Sequence, residues 1–594
     1  MLQEIINQYF PEQTEVEKSV QQQVFQLPIS YLSSEKTFPL NSIVSTDLEL
    51  LSTDNPDSRP IYDYLFHPQH QFALDIIPMW NSHYTTNTDF LLDSQKIIKD
   101  MTLYKKNMET KKYIISHESL MEIWSSTRED NRFLEKYSYI EWEMFKHFNT
   151  NTLFLQSISL ANMASPIISF VIPILFLILP FIILKIQGIP ISIEMYVDVL
   201  RDIAKHHFIG KTLTSIQTLN IQNIAYIVFT FCMYVYQIYQ NVISCTRFYS
   251  NIKQINSQLY ELVRYLDYSL HSMRSFIDII EGKDTYAGFQ KGLKERYNSL
   301  LDLRNEIGNI QPFSPSFLKL NEIGELLKSY YVLYSNDEYA ESLYYSFGFE
   351  GYVNNLLGIH ENVALNRITM ATFDASANTG IEGGYYPPHM AIDYVSNDCS
   401  FEKSLVITGP NASGKTTFLK TVMINIIFTQ QTGFGFYASC VLNPYSHIHS
   451  YLNIPDTSGR DSLFQAESRR CKEILDIIDS SDVNKSRHLC TFDELYSGTN
   501  PEEATKSAYS FLLYLSKNSN VDFILTTHYT SICPRLKKTK NIKNWKMDAI
   551  CTENEEIQYT YKIKKGVSKI QGAIKVLKDM QYPKEIIDSI LEWK

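Results

Sequence analysis

A chain of 594 residues with 44% hydrophobic side chains has room for about three or four globular domains. Its formal net charge of −11 excludes a protein whose whole surface binds nucleic acid, although a local basic patch stays compatible with that charge. The eight cysteines include no C-x-x-C pair, which excludes a disulfide scaffold and indicates reduced thiols in a cytosolic setting.

Within the first 160 residues, a polar segment is followed by a segment whose apolar side chains have helical spacing. Residues 1–60 are polar and contain a turn-rich patch, and we interpret them as an N-terminal lead-in. Residues 61–160 carry apolar side chains at a mostly helical period, which predicts the first part of a helical lever domain. Within this part, the pattern predicts one helix over residues 90–101 and another over residues 132–148.

An uncharged stretch follows that is long enough to cross a bilayer. Residues 164–184 contain no charged side chain, and Lys185 comes directly after them. Three prolines recur every seven residues within the stretch, and prolines kink soluble helices but are tolerated in membrane helices. The stretch therefore predicts a transmembrane helix, with a buried core helix as the alternative.

A second uncharged run covers residues 221–239 and contains more polar side chains, among them Gln222 and Asn223. This run is compatible with a second membrane span or with a core or interfacial helix. Together the two runs predict a transmembrane hairpin over residues 161–242 that contacts the lipid bilayer through 164–184 and 221–239. Because two crossings return the chain to the same side, we expect a membrane protein whose C-terminal domain faces the cytosol.

The helical period returns over residues 243–370, where Leu259, Leu262 and Leu266 form one apolar stripe. This segment predicts the second part of the lever domain, so that the hairpin interrupts one helical body. Residues 371–594 then change to apolar strands that alternate with helices, which predicts an α/β domain at the C-terminus.

The clearest motif begins after an apolar strand at Ser404 and ends in an apolar helix. Between them, the sequence fits G-x-x-x-x-G-K-[ST] in full, in the strand–loop–helix context that this motif requires. The glycines let the loop backbone turn its N–H groups towards phosphate oxygens. Lys415 is predicted to reach the β- and γ-phosphates, and Thr416 to offer a hydroxyl to Mg²⁺. We therefore predict an ATP- and Mg²⁺-binding loop made of Gly409, Pro410, Asn411, Ala412, Ser413, Gly414, Lys415, Thr416 and Thr417.

Two later apolar strands end on residues that fit the same chemistry. The first ends in Asp493 and Glu494; Asp493 is predicted to hold Mg²⁺ through water, and Glu494 to activate the attacking water. A surface pair of acids is the alternative. The second strand ends on His528, and the carboxyl ends of strands in an α/β sheet face the ligand crevice. His528 is therefore predicted to contact the γ-phosphate or to position water, with a purely structural role as the alternative.

Ordered motifs over about residues 375–590 resemble those of the MutS mismatch-repair ATPases. Residues 409–417 resemble that family's GPNxxGKST loop, 461–467 its STFxxE signature, 492–499 its DExxxGT segment and 526–529 its THY switch. The resemblance implies an α/β P-loop ATPase domain of the ABC type that hydrolyses ATP as a dimer. The mismatch-reading N-terminal domain of the family, with its Phe-x-Glu wedge, is not recognisable in this chain.

The resemblance also implies roles for residues outside the loop. Ser462 is offered across the interface of a homodimer, or to a related subunit, where it contacts the partner's γ-phosphate. Tyr394 is placed to stack on adenine, and an ordinary edge-strand tyrosine is the alternative. Since the family binds DNA, DNA is a predicted partner, and the dimeric ATPase is expected to drive the levers.

A basic run over residues 535–546 has six positive side chains and no acid. It fits contact with phosphate backbones or anionic headgroups, or a solvated loop. Two functions therefore remain open from the sequence. One is a MutS-like ATPase with ATP-dependent DNA binding; the other is a membrane-anchored, ATP-driven switch that acts on a protein or membrane partner without mismatch recognition.

Overall fold

The computed structural model describes residues 24–592, with gaps at 54, 56, 111–112, 189–191, 207–220, 315–318, 320, 392–393, 455–461, 484, 552–556, 570–576 and 578–579. The chain divides into two compact units. Unit 1 comprises Met1–Lys112, His271–Tyr297 and Tyr344–Lys594, and unit 2 comprises Tyr113–Leu270 and Asn298–Leu343. The predicted domain boundaries at 60, 160, 242 and 370 differ from this division, because residues before 113 share a unit with the C-terminal α/β domain.

The helices are numbered here in chain order. They are α1 (Ser42–Asp47), α2 (Ile61–Phe66), α3 (Gln71–Trp80), α4 (Thr88–Met108), α5 (His117–Trp124), α6 (Phe133–Lys136), α7 (Thr152–Ile186), α8 (Ile193–His206), α9 (Ile221–Ile280), α10 (Ala287–Ile307), α11 (Ile323–Ser335), α12 (Asp337–Ala364), α13 (Lys415–Thr432), α14 (Leu463–Ser480), α15 (Pro501–Leu515), α16 (Cys533–Leu536) and α17 (Lys584–Glu592).

The strands lie mostly in the last third of the chain. They are β1 (Thr37–Pro39), β2 (His83–Thr85), β3 (Thr369–Met370), β4 (Thr372–Phe373), β5 (Gly380–Gly384), β6 (Asn397–Ser400), β7 (Ser404–Thr408), β8 (Phe434–Gly435), β9 (Ser439–Leu442), β10 (His447–Tyr451), β11 (His488–Asp493), β12 (Val521–Thr527), β13 (Ile542–Cys551) and β14 (Ile557–Lys565).

Unit 1 is organised around a six-stranded sheet in the order β10-β11-β12-β7-β13-β14. Neighbouring strands run parallel, except that β14 pairs antiparallel with β13. Every residue of β7 is buried, as expected for a parallel strand covered on both faces. Helix α13 contacts β11 and β12, while apolar residues of α14 and α15 form one core cluster with β11 and β12. The parallel strands therefore end at one common edge, where loops bind ligands in this architecture.

Residues from the predicted lead-in pack into unit 1. Val44 and Leu48 are fully buried, and Glu49 forms a 2.7 Å ion pair with Lys420 of α13. From α2, the hydroxyl of Tyr62 lies 3.2 Å from Oε1 of Gln431 at the other end of α13. Burial and side-chain pairing with α13 therefore hold these residues in unit 1.

Within unit 2, helices α7 and α9 lie against each other in antiparallel directions. The Tyr234 hydroxyl of α9 donates to the Ser169 carbonyl of α7 at 2.9 Å, and Asn241 Nδ2 donates to the Ser169 hydroxyl at 2.5 Å. Further along, Cys245 Sγ lies 3.6 Å from the Met163 carbonyl. These polar groups therefore bond between the two helices rather than to their surroundings.

The outward-facing side chains of these two helices are apolar and exposed. Ile167 is 67% exposed and Phe170 is 58% exposed on α7, and Phe231 is 66% exposed on α9. One helical stretch, Thr152–Ile172, is long and apolar enough to cross a bilayer, with a mean hydropathy of 1.5 and only 11% of its apolar window buried. No second stretch among the described residues meets the same criteria, so the transmembrane hairpin stays a prediction.

Residues 132–148 do not form the continuous helix that their pattern predicts. After α6 the chain turns, and a 3₁₀ helix covers Glu143–Thr150. Ser138 adopts a left-handed φ of +62° between them. The Asn149 side chain accepts from the Ile140 N–H at 2.9 Å and donates to the Ile140 carbonyl at 2.9 Å. These side-chain bonds satisfy backbone groups that a helix would otherwise pair, so the helical pattern is overridden.

Three histidines stack at the starts of β10 and β11. His447 and His488 rings are 4.6 Å apart, and Nε2 of His449 lies 3.1 Å from Nδ1 of His488. Burial lowers the pKa of His449 to about 3, with help from the neighbouring histidines. Burial and His447 lower the pKa of His488 to about 4. Both side chains are therefore neutral in the folded protein at physiological pH.

This cluster predicts a fold that weakens in acid. Between pH 6.5 and about 4, an unfolded chain protonates both histidines while the folded protein does not, so the unfolded state binds more protons. The unfolding free energy should thus decrease as the pH is lowered, by up to ~1.4 kcal/mol per pH unit for each histidine. Thermal unfolding scans between pH 7 and 5 measure this slope. A His449→Asn variant should show a shallower slope, and an unchanged slope would contradict the assignment.

Candidate nucleotide-binding site

The loop between β7 and α13 has the geometry that its glycines require. Gly414 has φ +93°, and a Cβ at Gly409 would lie 2.7 Å from the hydroxyl oxygen of Ser413. The Ser413 hydroxyl donates to the Pro410 carbonyl at 2.7 Å, and this hydrogen bond joins two residues of the loop. Ala412 also has a left-handed φ of +61°. The loop therefore curls around the N-terminus of α13, where backbone N–H groups favour an anion.

The Lys415 ammonium is buried at the centre of this loop. It donates to the carbonyls of Gly409 at 3.0 Å and Pro410 at 3.1 Å, and lies 3.8 Å from Oε1 of Glu494. Burial lowers the pKa of Lys415, while the charges of Glu494 and Asp493 oppose that shift. A cation held under a turn of backbone N–H groups is suited to bind phosphate oxygens.

Thr416 and Asp493 supply the oxygen atoms expected for magnesium. The Thr416 hydroxyl donates to Oδ2 of Asp493 at 2.6 Å, and the other carboxylate oxygen accepts from the Thr526 hydroxyl. The register of β11 and β12, which pairs Asp493 with Thr526, produces the second contact. A hydroxyl and a carboxylate beside a phosphate-binding loop fit Mg²⁺, which prefers oxygen ligands shared with substrate phosphates.

Glu494 follows Asp493 with a left-handed φ of +53°, and its N–H donates to the Thr526 carbonyl at 3.0 Å. Its Oε1 lies 3.2 Å from Nδ1 of His528, at the end of β12. That hydrogen bond, together with the charge of Lys415, holds the pKa of Glu494 below its ordinary value. The structure thus places an ionised carboxylate and an imidazole side by side at the edge of the sheet.

Lys415, Thr416, Asp493 and Glu494 border one cleft of about 730 Å³, whereas His528 is not among its lining residues. Tyr394 lines the cleft and stacks on Tyr385 with ring centroids 4.2 Å apart. Tyr561 of β14 also lines it, and a Cβ at Gly414 would lie 3.2 Å from Cδ1 of that ring. The predicted site residues that line the cleft are Tyr394, Asn411, Ala412, Gly414, Lys415, Thr416, Thr417, Asp493 and Glu494.

Two of these contacts were not predicted from the sequence. Thr526 belongs to the predicted strand that ends on His528, and its hydroxyl donates to Asp493. The two adjacent threonines before His528 were the available signal. Tyr561 gave no signal, because one tyrosine in a strand has no distinguishing pattern. The Asn397 side chain holds Tyr561 in place by donating to its carbonyl at 2.9 Å and accepting from the Ile563 N–H at 2.8 Å.

Ser462 lies at the start of α14 and is not among the residues that line the cleft of its own chain. Its hydroxyl oxygen accepts from the Gln465 N–H at 3.3 Å, and the Gln465 side chain accepts from the Ser462 N–H at 2.9 Å. This capping box fixes the hydroxyl at the positive end of a helix dipole.

Comparison with known proteins agrees with this geometry. Residues 405–593 match the family model described as MutS domain V. The DNA mismatch repair protein MutS of Prochlorococcus marinus is 30% identical over 199 residues, which cover 33% of this chain and 21% of that protein. MutS of Listeria welshimeri is 23% identical over 303 residues, or 50% of this chain and 33% of that protein.

MutS of Listeria monocytogenes is 26% identical over 201 residues, which cover 33% of this chain and 23% of that protein. The chain thus spans between about a fifth and a third of the length of these curated relatives. The matched family model includes β7, the phosphate-binding loop and the strands that carry Asp493 and His528. The C-terminal part of the chain is therefore similar to MutS domain V, and a largely helical region precedes it.

Proposed function

We propose that the chain is a magnesium-dependent ATPase of the MutS type. The observation that carries the proposal is the convergence of Lys415, Thr416, Asp493 and Glu494 at one cleft, with His528 paired to Glu494. The match of residues 405–593 to MutS domain V supports it independently of the geometry.

Each side chain has a role that follows from its surroundings. The loop N–H groups and the Lys415 ammonium bind the β- and γ-phosphates of ATP. Thr416 and Asp493 hold Mg²⁺, whose charge offsets the negative charge of the phosphate oxygens. Glu494 accepts a proton from the attacking water, because its lowered pKa keeps it ionised at neutral pH. His528 orients Glu494 through their shared hydrogen bond.

The adenine base fits between the aromatic side chains at the outer end of the cleft. Tyr394 offers an exposed ring that is already backed by Tyr385, so a stacked base adds a third layer. Tyr561 lies over the loop at Gly414 and closes the other side.

Hydrolysis requires a second subunit in this proposal. The Ser462 oxygen accepts a hydrogen bond in the capping box, and among the described residues none accepts from its hydroxyl, which can therefore donate to an anion at the start of α14. The N-terminal end of that helix adds a favourable dipole. In a homodimer this hydroxyl contacts the γ-phosphate bound by the partner subunit, so that ATP closes the dimer and its hydrolysis opens it.

Binding of DNA during this cycle is the first proposed use of the motor. The relatives are named DNA mismatch repair proteins, and for two of them the similarity to this chain covers 303 residues, which is longer than the match to MutS domain V. The ATP cycle would then move the helical region and change its affinity for DNA.

A membrane-anchored switch is the second candidate, and a specific observation favours it. The α7 stretch Thr152–Ile172 is apolar and only 11% of its window is buried, whereas core helices of soluble proteins are mostly buried. Its polar contacts with α9 are made between the helices, as the absence of water in a bilayer requires. In this case the domain V ATPase faces the cytosol and acts on a protein or membrane partner.

One experiment separates the two uses. ATP turnover of the full chain is measured with and without duplex DNA at 50 mM and 200 mM salt, and the same protein is floated with anionic and neutral lipid vesicles. A DNA-binding motor shows stimulation that falls about 10-fold or more at the higher salt. A membrane-anchored switch floats with both vesicle types and shows no stimulation by DNA. Absence of any magnesium-dependent turnover would contradict the ATPase itself.

A further inference from the structure

The carboxylate of Glu467 lies one turn beyond Ser462 on α14 and is almost fully buried, at 2% exposure. It accepts three hydrogen bonds from the loop that follows Glu494. Its Oε1 accepts from the Ser497 N–H at 2.9 Å and from the Ser497 hydroxyl at 2.8 Å, and its Oε2 accepts from the Gly498 N–H at 3.1 Å. A buried carboxylate with three donors holds its partners firmly, because losing any donor leaves charge uncompensated.

The loop over residues 494–498 is backbone-strained and depends on such contacts. Glu494 has φ +53° and Tyr496 has φ +59°, both in the left-handed region. The Tyr496 N–H donates to the Tyr451 hydroxyl at 3.2 Å. Two residues with side chains in this region, separated by Leu495 alone, persist only where surrounding contacts fix them.

The loop also packs directly on the first turn of α14. A Cβ at Gly498 would lie 2.8 Å from Cγ of Leu463 and 2.8 Å from the N atom of Phe464. Glycine is therefore required there by the close approach of the helix. The start of α14, with Ser462 as its cap, and the loop that carries Glu494 are thus joined by packing and by the Glu467 carboxylate.

We propose that Glu467 is a positioning residue that couples the two ATP sites of the dimer. It fixes Glu494 for the site of its own chain and Ser462 for the site of the partner, so a shift of one moves the other. This inference rests on the proposed dimeric ATPase. Glu467 is not among the residues that line the cleft, and it acts through the two side chains it positions.

Mixed dimers give a test in which only one site can work. Lys415→Ala protomers cannot fill their own site, and Ser462→Ala protomers cannot complete the partner's site. A mixed dimer then has one complete site, made of the loop of the Ser462→Ala protomer and the serine of the Lys415→Ala protomer. Neither type of homodimer hydrolyses ATP, so the measured turnover comes from the mixed dimers.

Glu467→Gln is added to one protomer at a time. In the Ser462→Ala protomer it disturbs Glu494 of the active site, and in the Lys415→Ala protomer it disturbs the serine supplied in trans. Glutamine keeps one oxygen but turns an NH₂ group towards an N–H donor. We expect turnover to fall about tenfold in both arrangements, since small misplacements of catalytic groups are costly, with the Kd for ATP unchanged. Glu467→Ala should lower turnover further in both.

The matched control is Glu473→Gln, an exposed glutamate on the same helix that pairs with Arg470. It should leave turnover of the mixed dimer unchanged in either protomer. Loss of turnover in only one arrangement, or a parallel rise in the Kd for ATP, would overturn the coupling while leaving the ATPase intact. Inactivity of the starting mixed dimer beside an active wild-type protein would instead overturn the shared site, and the coupling with it.

Discussion

Replacing Glu494 by glutamine is expected to lower ATP turnover about a thousandfold, because the variant cannot accept a proton from the attacking water. ATP binding should persist, since in the proposed site Lys415 and the loop around it, rather than this carboxylate, bind the phosphates. The hydrogen bond from His528 and the charge of Lys415, which lower the pKa of Glu494, indicate that the wild-type side chain is ionised and ready to act as a base. Phosphate release and the binding of a fluorescent ATP analogue are measured side by side.

The control for this variant is Glu502→Gln, which removes an exposed carboxylate that pairs with Lys506 at the start of α15. Its turnover should match that of the wild type. If Glu494→Gln hydrolysed ATP at the wild-type rate, the attacking water would have to be activated elsewhere, and the assignment of this site's base would be wrong.

Mixing Lys415→Ala with Ser462→Ala should restore activity that neither protein has alone. Each homodimer lacks one essential group at both sites, while a mixed dimer has one complete site. Random exchange of subunits in a two-fold symmetric dimer gives one half mixed dimers, so about a quarter of wild-type turnover is expected. The measurement is ATP turnover against the mixing ratio, with a maximum at equal amounts.

A variant with both substitutions in the same protomer is the control, because mixing it with Ser462→Ala leaves no complete site. If equal mixing gave no more activity than the separate proteins, while wild-type protein hydrolysed ATP as a monomer, the serine would not be shared between subunits.

The strand, loop and helix around the predicted phosphate-binding loop could be predicted from the sequence because their signal is local. The strand Ser404–Thr408, the loop glycines and a helix from Lys415 follow one another in sequence, and the structure has the same order. The helix predicted over residues 90–101 lies within α4 (Thr88–Met108), where a capping asparagine and a long apolar face act together. The helix predicted over residues 132–148 was wrong, because the side chain of Asn149 bonds the backbone of Ile140 across a turn.

Other parts of the site depend on pairings that no short pattern encodes. Thr526 reaches Asp493 only because β11 and β12 are neighbours in register, although 33 positions separate the two residues in sequence. Tyr561 reaches the loop because β14 is held by Asn397, a residue of β6 that lies 164 positions earlier in the sequence. The sequence marked Glu467 as part of a signature but not as the partner of Ser497 and Gly498.

The sequence by itself determined that this protein has a strand, a glycine loop and a helix suited to phosphate, since backbone freedom and hydrophobic period act over a few neighbouring residues. Only the tertiary structure decided which distant side chains meet that loop. The sheet inserts β7 between β12 and β13, which are later in the chain, and so assembles the site from segments more than a hundred residues apart. Strand order and register arise from burial of both sheet faces at once, a condition that no single segment contains.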